Sequence, residues 1–558
     1  MTRRRVAAIV AALAAGCGDR SSPSEDATSW FVDVTAASGL TFRHDPGAGG
    51  EKQLPEIMGG GVALLDHDGD GDLDLFFAQG APFRGCPTED RDFRDRLFQN
   101  DGRGRFVDVT AASHCSDPAF TLSAAAADVD GDGDPDLLLC GLGGCTLLRN
   151  DGGVFSDVTS GSGLRGRGWC QCAAFADFDQ DGDLDLYVGH YVVYDADHPL
   201  WCGDQKKGPE FRSYCHPDEF RAERDELYRN DGGGTFTDVS EASGVAAASG
   251  KCLGLLVVDD DNDGDCDLYV ANDSTPNFLW RNEGGLRFRE VAMEAGCAVS
   301  ARGLSQASMG VDAADVDDDG DFELFVTNLS LEPNALYRND GNGFFSERGL
   351  ESGLGEPSLV WVGFGCRFQD VDRDGLEDLF VVNGDVVDNI ELTRPGMSFR
   401  QPSHLYVNQG GGRFTLAGPE AGPYLRERHV GRALATWDQD DDGDLDLVVV
   451  NHAEPAVLLE NRAPKRGGWI GFKLRGAPHN GDAIGARVTI SAGGRRQMRE
   501  VRGTCSYGAW CDLRLLFGLG AAAAVDWAEI RWPRGSTLRV DRPAAGRYHE
   551  VREEGGEH

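Results

Sequence analysis

The chain has 558 residues, a formal net charge of −40 and 41% hydrophobic residues. That hydrophobic share is too high for a disordered acidic polymer, and the length allows more than one domain. The charge excludes nucleic acid as a natural partner, because even seven bound divalent cations would leave the protein acidic.

The first residues read as an export signal spanning 1–17. Arg3-Arg4-Arg5 precede a short apolar run from Val6 to Leu13, and Ala14-Ala15-Gly16-Cys17 form the processing site. The apolar run is too short to span a bilayer. Small residues leading directly into Cys resemble a bacterial lipobox. That resemblance implies lipidation of Cys17, a tether over residues 18–29, and a place in the bacterial envelope, on the periplasmic face or the cell surface. Membrane contact is then expected only through the lipid anchor.

An acidic loop then recurs seven times. Its side chains fall at positions 1, 3, 5 and 9, Gly stands at 6 to turn the chain, and position 7 can offer a carbonyl. The first copy carries Asp66, Asp68, Asp70, Asp72 and Asp74; the second Asp128, Asp130, Asp132, Asp134 and Asp136; the third Asp177, Asp179, Asp181, Asp183 and Asp185. The fourth carries Asp259, Asp261, Asp263, Asp265 and Asp267; the fifth Asp315, Asp317, Asp319, Asp321 and Glu323; the sixth Asp370, Asp372, Asp374 and Asp378. The seventh has Asp438, Asp440, Asp442, Asp444 and Asp446. So many carboxylates in nine residues repel one another unless a cation neutralises them, and an oxygen-only set suits calcium. The spacing predicts up to seven Ca²⁺ ions. An EF-hand is excluded, because position 12 is Phe77, Leu139, Val188, Val270, Val326, Val381 or Val449 instead of a bidentate Glu, within runs that read as strands.

Around each loop the same four strand-like pieces recur. An apolar strand enters the loop and another leaves it. A third resembles Leu-Tyr-Arg-Asn-Asp-Gly (227–232 and 336–341), ending in a tight turn, and the fourth resembles Phe-Thr-Asp-Val-Ser (236–240). Four short strands in each of seven repeats predict an all-β fold, a seven-bladed β-propeller over residues 30–463. The seventh repeat lacks its fourth piece, which stands instead at the other end as Phe31-Val32-Asp33-Val34-Thr35 and is expected to complete the last blade. An insertion from His190 to Glu226, bearing Trp201, Lys206, Lys207 and Tyr214, is a candidate ligand lip.

Residues 464–558 read as a small β-rich C-terminal domain. With 16 Lys or Arg against 10 Asp or Glu, it opposes the sign of the rest and is expected to pack against the acidic propeller. Fifteen cysteines in an exported chain favour disulfides, with Cys202–Cys215 and Cys505–Cys511 as plausible local pairs. No Cys/His spacing resembles a zinc site.

Three stretches carry a family resemblance: Leu54-Pro-Glu-Ile-Met-Gly-Gly-Gly-Val-Ala-Leu-Leu-Asp66, Ala271-Asn-Asp-Ser-Thr-Pro-Asn-Phe-Leu-Trp-Arg-Asn282 and Phe380-Val-Val-Asn-Gly384. With the loops, they resemble the FG-GAP/VCBS repeats of bacterial relatives of cartilage acidic protein, whose propeller is integrin α-like. Asp482-Ala-Ile-Gly-Ala-Arg-Val-Thr489, Phe517-Gly-Leu-Gly520 and Glu529-Ile-Arg-Trp-Pro-Arg-Gly535 resemble the accompanying ASPIC/UnbV domain. Calcium binding and an envelope or extracellular setting are what the resemblance implies.

No G-x-S-x-G, H-E-x-x-H or phosphate-loop motif is present. The expected function is therefore a non-catalytic calcium-binding protein that recognises a protein or glycan through rim loops. The alternatives are a carbohydrate-active lyase or hydrolase with its site in the propeller cavity, and a structural subunit of an envelope complex.

Overall fold

A computed structural model describes residues 29–553; the export signal, Cys17 and the tether through residue 28 lie outside them. Strands dominate, and the helices are short turns such as Thr35–Ser38. Seven antiparallel sheets each draw four strands from the described chain up to residue 461; the first gains two more from the C-terminal stretch, and Cys202–Gly203 pairs with Arg212–Ser213 apart from them. Sheet one comprises Val62–Leu65, Asp74–Phe77, Arg96–Asn100 and Phe106–Asp108. Sheets two to seven open with Phe120–Ala127, Cys170–Ala176, Cys252–Val258, Val311–Ala314, Gly363–Gln369 and Gly431–Trp437. Every acidic loop joins the first strand of a sheet to its second. The seventh sheet takes its last strand from the N-terminal end: Phe31–Asp33 pairs with Val457–Asn461, Phe31 opposite Asn461.

The first strands lie side by side in chain order, and Gly431–Trp437 returns to lie beside Val62–Leu65. Their approach is close enough to demand glycine. A Cβ on Gly254 would stand 2.3 Å from the Met309 carbonyl oxygen, and one on Gly310 would stand 2.1 Å from that of Phe364. Between adjacent sheets the layers are apolar. Leu64, Leu75 and Phe77 of sheet one meet Ala433, Trp437 and Val450 of sheet seven in one such layer, each large side chain contributing about 1.5–3 kcal/mol by burial.

A polar tie reinforces the layers. The Asn of the third strand reaches back to the preceding sheet: Asn150 Nδ2 donates to the His67 carbonyl (2.8 Å) and Asn230 Nδ2 to that of Val129 (2.9 Å). Asn282, Asn339, Asn408 and Asn461 do the same to Phe178, Asp260, Val316 and Val371. Asn100, at the seam, bonds to Leu73 within its own sheet (3.2 Å).

The C-terminal stretch forms two small sheets around Ile470, Phe472, Val488, Phe517 and Trp532. It also sends out a hairpin that joins sheet one. Ala509–Trp510 runs parallel to Val62–Leu65. At the tip, Ser506 exchanges two backbone hydrogen bonds with Val311 of sheet five (3.0 and 2.7 Å), and its Oγ accepts from Cys366 N–H of sheet six (3.1 Å). Tyr507 Oη donates to the Met58 carbonyl (2.6 Å) and accepts from Gln171 Nε2 of sheet three (3.2 Å). The hairpin thus fills the space between the first strands. Cys505 and Cys511 are free thiols beside each other, not the bridge expected from their spacing.

The 190–226 insertion is pinned by the expected Cys202–Cys215 disulfide. It lies over the opposite end of that space, where Tyr194 Oη donates to Gln53 Oε1 (2.9 Å) and Tyr214 Oη to Glu56 Oε2 (3.2 Å). Leu54, Met58, Trp169, Phe364 and Tyr507 pack beneath it. These side chains fill the space between the first strands at that end.

Asn282→Ala removes a donor that serves Phe178 O and Cys266 O in two sheets. It is expected to lower unfolding free energy by about 1–3 kcal/mol, and Asn100→Ala by less, as read from denaturant midpoints.

Candidate metal centres

In every loop the position-nine carboxylate is buried and held by two backbone donors. Asp74 accepts from His67 N–H (3.0 Å) and Asn100 N–H (2.7 Å); Asp136 accepts from Val129 (3.1 Å) and Asn150 (2.8 Å). Asp185, Asp267, Glu323, Asp378 and Asp446 repeat the pattern. One donor comes from loop position two and the other from the third strand, so this side chain ties the loop to its sheet.

Position one is turned by the glycine at six. Gly71 N–H donates to Asp66 (3.0 Å), Gly133 to Asp128 (2.9 Å) and Gly182 to Asp177 (3.1 Å). These glycines have φ of +100°, +99° and +108°, a region that excludes a side chain at little cost only for Gly. Asp315, Asp370 and Asp438 accept the same bond. The remaining oxygens converge. Asp66, Asp68 and Asp70 bring one oxygen each within 4.8 Å of one another, as do Asp128, Asp130 and Asp136, and Asp177, Asp179 and Asp185. The Oδ1 atoms of Asp66, Asp68, Asp177, Asp259 and Asp317 are buried without a hydrogen-bond partner. Hard, anionic, under-satisfied oxygens at this spacing fit a divalent cation with oxygen ligands.

Burial sets the electrostatics. It pushes Asp177, Asp315 and Asp438 up to about 7 and Asp370 to about 8, with neighbouring loop carboxylates adding to the rise at Asp177 and Asp315. At position nine, burial outweighs the backbone donors and lifts Asp136 and Asp185 to about 8 and Glu323 to about 9.

The loops are not equivalent. Among the described residues, the carboxylates at positions one, three and five of loops one to three form no ion pair with Lys or Arg. In loop four Arg531 Nη2 meets Asp259 at 2.7 Å, and Arg281 Nε meets Asp261 at 3.1 Å. Arg338 contacts Asp317 (3.0 Å) in loop five, and Arg466 contacts Asp372 (2.9 Å) and Asp374 (3.0 Å) in loop six. In loop seven Arg373 meets Asp442 at 3.0 Å, and Lys465 pairs with Asp444. Sequence spacing concealed these arginines, several of which belong to the C-terminal domain. That domain packs on the loop end, as its opposite charge suggested: Arg495 binds Asp318 (2.7 Å), and Tyr548 Oη donates to Asp438 (2.9 Å).

The position-seven side chains serve neighbours. Asp134 accepts from Gly152 N–H (2.7 Å), Asp265 from Gln180 (2.6 Å), Asp321 from Asn262 (2.5 Å), and Asp183 faces His479 (3.4 Å). A ligand from this position is therefore the main-chain carbonyl.

Comparison with known proteins agrees with the repeat pattern. An FG-GAP-like repeat model matches residues 66–139, 128–188, 259–326 and 315–381, which include six of the seven acidic loops. An "ASPIC and UnbV" model matches residues 476–558. Cartilage acidic protein 1 of Xenopus tropicalis is 28% identical over 203 residues, 35% of this chain and 28% of the relative. The mouse protein of that name is 28% identical over 196 residues, 33% and 26% of the two chains. The chain thus spans little more than a quarter of the curated relatives it matches. Among solved structures, an Agrocybe aegerita lectin that recognises non-reducing terminal N-acetylglucosamine shares 16% identity at a TM-score of 0.38, covering 66% of this chain and 84% of the lectin. Rhamnogalacturonan lyase YesW shares 13% at 0.35, covering 72% and 71%. The repeat and domain matches show that this chain combines FG-GAP-like repeats with an ASPIC/UnbV domain, and the curated relatives show its similarity to cartilage acidic protein 1.

Proposed function

We propose that the chain is a calcium-stabilised seven-bladed β-propeller, capped at its loop end by the C-terminal β domain, that acts as a non-catalytic binding protein of the cell envelope. The observation that carries this reading is the sevenfold acidic loop, in which Asp66, Asp68, Asp177, Asp259 and Asp317 hold buried oxygens without partners. The seam pairing of Phe31–Asp33 with Val457–Asn461 supports ring closure. Up to seven Ca²⁺ ions fit the loops, held most tightly in loops one to three, where no arginine competes. After export, lipidation of Cys17 would provide the membrane link.

Recognition is assigned to the end opposite the acidic loops. The C-terminal domain covers the loop end, and side chains fill the space between the first strands. The opposite end carries the disulfide-pinned insertion and exposes apolar side chains: Trp201 is 36%, Leu331 62%, Val360 50% and Leu392 54% exposed. These side chains are the contacts proposed for a protein or glycan ligand.

Calcium must displace protons from carboxylates whose ordinary range has been raised to about 7 or 8. Calcium titration at pH 8, 7 and 6 is therefore expected to show proton release and affinity falling with each step down; binding independent of pH would contradict the assignment. Trp201→Ser and Leu331→Asp, compared with wild type on a glycan array and by crosslinking to envelope proteins in calcium, are expected to lose a shared ligand by at least ~10-fold. Unaltered binding by both variants, or shortening of a polysaccharide by the wild type, would contradict the proposed surface and role.

A further inference from the structure

We propose that Cys140, Cys145, Cys170 and His190 form a zinc site that clamps sheet two to sheet three. The four side chains come from two cross-strand pairs. Cys140 stands opposite Cys145 in sheet two, and Cys170 stands opposite His190 in sheet three. Directly opposed residues of an antiparallel pair project from the same face. The three sulfur atoms lie within 4.8 Å of one another, with Cys145 Sγ 2.6 Å from Cys170 Sγ. A bridge between Leu142 and Trp169 joins the two sheets at this level.

His190 supplies the independent observation. It is 2% exposed, and neither ring nitrogen has a hydrogen-bond partner. A buried imidazole with no hydrogen bond is costly, and coordination would satisfy the nitrogen that faces away from Glu226. Glu226 Oε2 lies 3.6 Å from His190 Nε2. It leaves Nδ1 to the metal and gives the carboxylate–histidine pairing that orients ligating imidazoles.

Three sulfurs and one imidazole are a soft, closed tetrahedral set suited to Zn²⁺ and unsuited to Ca²⁺. A disulfide would use two of the thiols and leave the third and His190 without a role. Zn–S bonds of about 2.3 Å set sulfur–sulfur spacings of about 3.8 Å, so Cys145 and Cys170 swing apart as the ion enters. No zinc spacing shows along the chain because the ligands lie on four strands of two sheets.

The full chain, purified under reducing conditions and saturated with calcium to block the carboxylate loops, is titrated with Co²⁺. One equivalent is expected to give thiolate-to-cobalt charge-transfer absorption, which Zn²⁺ then abolishes. Cys140→Ser with Cys170→Ser is expected to lose the band. Glu226→Gln is expected to keep it and weaken zinc binding by about 10–100-fold. Should the double variant misfold, alkylation of the wild type decides: zinc protects Cys140, Cys145 and Cys170, a chelator releases them, and Cys115 is unaffected by either. Absence of the thiolate band from folded wild type, or a Cys145–Cys170 disulfide with no bound zinc in the full chain isolated without reductant, would overturn the site.

Discussion

A buried carboxylate that accepts two backbone N–H groups sits at the centre of each of the seven repeats. Asp74, Asp136, Asp185, Asp267, Glu323, Asp378 and Asp446 each bind one donor from the acidic loop and one from the third strand. The loop cannot relax away from its sheet without exposing those donors, so its other carboxylates are held together against their mutual repulsion. The residue donating the second bond is the same Asn that, in sheets two to seven, reaches the previous sheet. One constraint therefore orders the loop, crowds the charges and registers neighbouring sheets.

The crowded charge is resolved in two ways. In loops one to three, among the described residues, no Lys or Arg is in ion-pair range of the carboxylates at positions one, three and five, the condition that favours a divalent ion. In loops four to seven arginines and a lysine share the work, several of them from the domain that covers this end. Arg487 illustrates the overlap: it donates to the Asp259 carbonyl (3.1 Å) and to Glu500 (3.0 Å). The C-terminal domain is tied in further by its hairpin, whose Ser506 and Tyr507 bond to sheets three, five and six. Its docking and the order of the first strands are consequently coupled.

Much of this was legible in the chain. The fourfold strand pattern, the loops between first and second strands and the displaced Phe31–Asp33 strand all follow from local spacing, whereas spacing made Cys202–Cys215 and Cys505–Cys511 equally eligible as bridges and only the first is one. What escaped has a common physical origin, namely contacts made across sheets by residues with unremarkable neighbours. Asn282 reads as a turn residue, yet its side chain spans two sheets. Cys505 and Cys511 are spaced for a local bridge, yet the structure holds them as neighbouring thiols in the hairpin between the first strands. Cys140, Cys145, Cys170 and His190 have no motif, and only the stacking of two sheets brings them together. Arg466 and Arg531 lie far along the chain from the loops they neutralise.

Thermal unfolding of the full chain with calcium, and after its removal by a chelator at constant ionic strength, tests most directly whether cations complete the acidic loops. Stabilisation by a ligand bound to the folded state grows by about 1.4 kcal/mol for each tenfold rise in free ligand above its dissociation constant. The melting temperature is expected to fall on chelation and to recover with calcium more fully than with magnesium, whose strict octahedral demand fits these loops less well. Identical melting with and without the chelator would contradict the account.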